Sequence, residues 1–88
     1  VARRITVILD WGHTGTSATG PDGTEYMIQG ETVRGEPRYY EALYLAPGQE
    51  RSSANWKTVP IGDGSSDIRS QRTRCRRHAE QLQEAARA

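Results

Sequence analysis

Phenylalanine is absent from this chain, and cysteine, methionine and lysine occur once each, as Cys75, Met27 and Lys57. One cysteine cannot form an internal disulfide, and it excludes a zinc site built from several thiolates of one chain. Cys75 falls on the apolar side of a helical pattern and reads as a small buried hydrophobe rather than a reactive thiol. No apolar run reaches the roughly 20 residues that a membrane-spanning helix needs, and no signal-peptide pattern opens the chain. No membrane partner is therefore expected, and the cytoplasm is the expected compartment.

Catalytic patterns are equally sparse. The two histidines, His13 and His78, have no recognised ligand spacing. Asp10, His13 and Glu25 or Glu31 come nearest to an acid–base or metal-ligand group, but a polar loop residue for His13 and a helix-flank residue for His78 are the simpler readings. Ser52-Ser53 and Ser65-Ser66 read as linker and helix cap, with no nucleophile elbow. Gly12 to Gly20 is a glycine-rich loop after a strand pattern, yet it lacks the Lys-Ser/Thr that closes a Walker A motif, and no helix follows. The expectation is a non-enzymatic protein with no metal and no cofactor.

The 88 residues read as a single small domain, 1–88, near the lower size at which one core stabilises a fold unaided. Self-association, most simply as a homodimer, is therefore expected. Apolar residues make up 34% of the chain, many of them alanine, so the core rests on few large side chains. They are Ile5, Val7, Leu9, Trp11, Ile28, Leu43, Leu45, Trp56, Val59, Ile61, Ile68 and Leu82.

Hydrophobic periodicity gives the elements. Ile5, Val7, Leu9 and Trp11 alternate with polar residues, predicting a strand over about 4–11, and Gly12 to Gly23 reads as a loop closed by the turn signal Pro21-Asp22-Gly23. Strands follow over about 25–33 and 38–46, joined through Arg34-Gly35-Glu36-Pro37 as a hairpin, with a short one over 56–61 in which Pro60 marks an edge or the strand's end. Both faces of the third strand carry apolar bulk: Tyr39, Leu43 and Leu45 on one side, Tyr40, Ala42 and Tyr44 on the other. A sheet covered by one helix needs only one such face. Ser66 or Asp67 caps a helix over about 67–87, whose apolar stripe is Ile68, Cys75, Ala79, Leu82 and Ala86, with Gln71 and Arg72 on its flanks. The fold class is α+β: a three- or four-stranded antiparallel sheet followed by one long C-terminal amphipathic helix.

Charge is divided along the chain. Residues 5–63 carry four basic against eight acidic side chains, net −4, whereas residues 66–88 carry six arginines against three carboxylates, net +3. Arg3 and Arg4 make up the total of +1. Such asymmetry points to a polyanion partner or to association between unlike faces. Arg69, Arg72, Arg74, Arg76 and Arg77 crowd the start of the helix, where the macrodipole favours carboxylates. On a helical projection Arg69, Arg76 and Arg87 share one flank of the apolar stripe, Arg74 lies on the other, and Arg77 is nearly opposite. This is a positive collar, suited to phosphates rather than to base edges. The competing reading pairs these arginines with Glu80 and Glu84 or with the sheet carboxylates Glu31, Glu36 and Glu41.

Tyr26, Tyr40 and Tyr44, with Tyr39, Trp11 and Trp56, offer a stacking or interface surface of the kind sheet-based single-strand binders use, although strand aromatics commonly serve packing instead. The order of elements is similar to that of the three-stranded DNA-binding domains of phage-type integrases, with no motif of that family present. The function expected is nucleic-acid binding, the phosphate backbone being held by Arg69, Arg72, Arg74, Arg76 and Arg77 together with Arg3 and Arg4. The alternative is a protein-interaction or assembly module, such as a phage-type accessory, structural or inhibitor protein.

Overall fold

The computed structural model describes residues 5–13, 15–60 and 67–87, and at 31–33 and 36–39 the backbone alone. Its elements are β1 (Ser17–Thr19), β2 (Glu25–Val33), β3 (Glu36–Leu45), β4 (Lys57–Thr58) and α1 (Ile68–Arg87). The strands form an antiparallel meander in the order β1-β2-β3-β4, and α1 packs on one face of it. This is the α+β arrangement that the periodicity indicates.

The β2–β3 hairpin is the body of the sheet. Val33 pairs with Glu36, so the loop is Arg34-Gly35, with φ of 56° and 81°. Two consecutive residues at positive φ are what a type I′ turn requires, and its twist matches that of the flanking strands. The register shifts between Glu31 and Thr32, next to the pair Thr32–Pro37. Proline has no N–H to give a ladder, and a bulge is one of the places where a strand tolerates it. The strand therefore begins at Glu36, two residues before the alternation indicates.

The N-terminal segment departs from expectation. Residues 5–11 belong to no strand, and the first strand of the sheet is Ser17-Ala18-Thr19, inside the stretch that reads as a loop. The alternation at 5–11 correctly marks burial, since Val7 and Leu9 are in the core while Thr6, Ile8 and Asp10 are exposed. It does not mark pairing: the Val7 N–H donates to Glu80 Oε2 of α1 at 3.0 Å instead of to a neighbouring strand. A side-chain carboxylate satisfies the backbone donor, and the segment lies along the helix. Ala18 is the one apolar residue of β1, too little for periodicity to register.

Ala18, Tyr26, Ala42 and Val59 of the sheet meet Cys75 and Ala79 of α1 in the core, with Val7 and Leu9 joining from the N-terminal segment. The helix thus covers the Ala42–Tyr44 side of β3. On the opposite face Leu45 is buried as well. There the segment after β3 turns back, and Arg51 donates to both carboxylate oxygens of Glu25. The second apolar face of β3 is in part an intramolecular one.

Asp67 is the N-cap of α1. Its Oδ1 accepts the Ser70 N–H at 2.7 Å, and its backbone carbonyl accepts the Gln71 N–H at 3.1 Å. Ser66, the other cap candidate, and the core candidate Ile61 lie outside the described residues. The buried residues of α1 are Gln71, Cys75, His78 and Ala79, a stripe rotated from the apolar one so that two polar side chains point inward. Leu82 is only half-buried and Ala86 is exposed, because the last turns extend past the sheet.

Candidate nucleic-acid interface

The five clustered arginines separate into two kinds. Arg72 and Arg74 are half-buried and bind backbone carbonyls: Arg72 Nε donates to Gly15 O at 3.0 Å, and Arg74 Nη2 to Val59 O at 2.8 Å. Arg69, Arg76 and Arg77 are exposed. Arg76 reaches Glu80 at 4.0 Å, a contact that at the surface is worth about 0–1 kcal/mol. Arg3 and Arg4 lie outside the described residues.

Arg74 takes part in an arrangement at the end of the β3–β4 ladder. Val59 N–H donates to Ala42 O at 2.9 Å, which is one half of an antiparallel pair. The reciprocal bond is replaced by side chains. The Ala42 N–H donates to Gln71 Oε1 at 3.1 Å, Arg74 Nη1 donates to the same oxygen at 3.0 Å, and Arg74 Nη2 caps Val59 O. Gln71 and Arg74 together satisfy the two backbone groups that the parting strands release, and they tie α1 to the sheet in doing so. Charge-assisted bonds to carbonyls near the helix start also offset what the macrodipole costs two of the five cations.

Among the described residues, no sheet carboxylate lies against Arg69, Arg76 or Arg77. Glu41 accepts the Thr58 hydroxyl at 2.8 Å, and Glu25 is held by Arg51. The side chains of Glu31 and Glu36 are outside the description. Glu80, on the helix itself, is shared between the Val7 N–H and Arg76. Asp10 and Glu25 line one cavity with Trp56, whereas His13 is exposed and absent from its wall.

The tyrosines are corrected in part. Tyr26 is 1% exposed, which removes it as a stacking platform; its hydroxyl lies 2.9 Å from Nδ1 of the buried His78. Tyr44 is tilted against the same imidazole, ring centroids 4.5 Å apart. Burial pushes the Tyr26 hydroxyl well above its ordinary pKa, with the Asp22 charge adding to the effect, and lowers that of His78, which Asp22 opposes. His78 is thus a packing group, drawn from the helix flank to the core by a hydroxyl partner. Tyr40 is half-buried and lies across Gly30 of β2, where a Cβ would stand 3.0 Å from its ring. Cys75 is fully buried, its thiol pushed up to about 12 by burial.

A feature missed by reading the strands as a sheet is the groove between the N-terminal segment and α1. It has a volume of about 300 Å³ and is lined by Thr6 to Leu9, Trp11, Arg69, Arg72, Thr73 and Arg76. One stacking candidate, Trp11, and two exposed members of the collar, Arg69 and Arg76, are thereby brought together.

Fold and site define a small α+β protein with a cationic helix flank. Among family models, curated proteins and solved structures, none matches this chain significantly. Among the described residues, no helix is long and apolar enough to cross a membrane.

Proposed function

We propose that the protein binds nucleic acid through its phosphate backbone, using Arg69, Arg76 and Arg77 on the exposed side of α1. The observation that carries this reading is the division of the collar. Arg72 and Arg74 hold the fold together, while the other three stay in solvent with no sheet carboxylate against them among the described residues. Exposed guanidinium forks on a rigid helix suit phosphate oxygens. They carry affinity with little base discrimination, so binding follows counterion release. Fluorescence anisotropy of labelled oligonucleotides, titrated over a series of salt concentrations, tests this. Alanine at Arg69, Arg76 or Arg77 is expected to weaken binding and to flatten the log–log salt slope by about 0.7–0.9 per residue. No binding to duplex or single strand at about 50 mM salt would sink the proposal.

One observation favours a second reading, self-association. Among the described residues β1 pairs with β2 at Glu25–Met27, and β4 pairs with β3 at Leu43 and Tyr44. Residues 29–33 and 36–41 have no outer strand neighbour among the described residues, and open edges recruit strands. Light scattering over a concentration series separates a closed dimer, which reaches a plateau, from open assembly, which does not.

A further inference from the structure

The groove beside α1 combines two kinds of surface. Arg69 and Arg76 are seven residues apart, two helical turns, so they present two cations along one line. The N-terminal segment lines the same groove with Trp11, half-buried against the core, and Ile8, which is 91% exposed. Ile8 is the large apolar side chain most exposed to water among the described residues. A duplex has its base faces stacked inside and offers such a wall only phosphates and sugars. An unstacked base offers a π-face, and stacking against aromatic side chains is tolerant of sequence.

We infer that this groove takes a single-stranded nucleic acid, with an unstacked base against Trp11 and Ile8 and neighbouring phosphates on Arg69 and Arg76. The inference rests on the phosphate-binding reading above and narrows it to strands whose bases are free. Arg72, fixed by Gly15 O on the groove wall, gives a planar cation beside the same base. The positive charge of the groove and the acidic sheet elsewhere favour a polyanion over an apolar peptide as its occupant.

Trp11 and Trp56 are the two tryptophans, and Trp56 lines a different cavity. A Trp56→Phe variant, excited where indole but not tyrosine absorbs, therefore makes fluorescence a report on Trp11 alone. An oligothymidylate is expected to quench it saturably, and to bind at least fivefold more tightly than a duplex of equal length. In the otherwise native chain Ile8→Ser, at a site too exposed to threaten folding, is expected to weaken single-strand binding several-fold and leave duplex binding unchanged. Equal binding of both forms, with Trp11 unquenched and Ile8→Ser silent, would overturn the inference and leave phosphate binding standing. Binding of neither form removes both readings. A Trp11 signal that changes with protein concentration alone would assign the groove to a second copy of the chain and also overturn it.

Discussion

Gln71 is one residue whose role hydropathy cannot report. It is 1% exposed on a helix face, and its amide oxygen takes one backbone and one guanidinium donor. A polar side chain is stable there only because α1 crosses the place where β3 and β4 part, leaving Ala42 N–H without its ladder acceptor. Removing the oxygen strands that donor, which costs about 1–3 kcal/mol. Gln71→Ala is therefore expected to lower the urea midpoint with little change in slope, and to leave nucleic-acid affinity unchanged under conditions where the variant is folded. Arg74→Ala is expected to behave similarly, which sets it apart from the exposed arginines. A sequence reading counts five equivalent cations; burial and partner make two of them structural.

At the scale of elements, the β2–β3 hairpin is the most legible part of the chain and the N-terminal segment the least. Alternation over nine and ten residues, interrupted by a glycine-containing turn, specifies a hairpin almost locally. Its loop carries a local penalty, since Arg34 sits at φ 56° with a Cβ that crowds the left-handed region. Arg34→Gly removes a left-handed cost of about 1–2 kcal/mol and adds a chain-entropy cost of about 0.5–1 kcal/mol, and Arg34→Asn tolerates that region better, so either is expected to raise the melting temperature with the same fold. Residues 5–11 show the opposite case. Their pattern is that of a strand, but which partner satisfies Val7 N–H depends on Glu80, 73 residues away. Periodicity detects a buried face and is blind to what covers it.

For the molecule as a whole, the pH dependence of stability reports the packing of α1 on the sheet. His78 is buried between Tyr26 and Tyr44, with Cys75 one turn away on its own helix and Asp22 the charge that opposes the effect of burial. Its folded pKa lies below the unfolded value of about 6.5, so at acid pH the unfolded chain binds the proton more readily. Stability is full above about 6.5 and is lost as pH falls toward the folded pKa. Urea unfolding at several pH values between about 7.5 and 5 is expected to show this decline in the native chain and a shallower one in His78→Gln. An equal decline in both would place the acid sensitivity elsewhere, among the carboxylates.

Local pattern determined the β2–β3 hairpin, the capped C-terminal helix, the burial of Cys75 and the division of charge between the halves, because each depends on neighbours within a few residues. Tertiary structure decided the rest. It placed β1 in a stretch with a single apolar side chain, drew Gln71 and His78 inward by giving each a hydrogen-bond partner from the sheet, and laid residues 5–11 along α1. It also divided the arginine collar into two staples and three exposed cations. These outcomes turn on which distant backbone group or ring lies within about 3 Å of a given polar atom, and no short stretch of sequence contains that information.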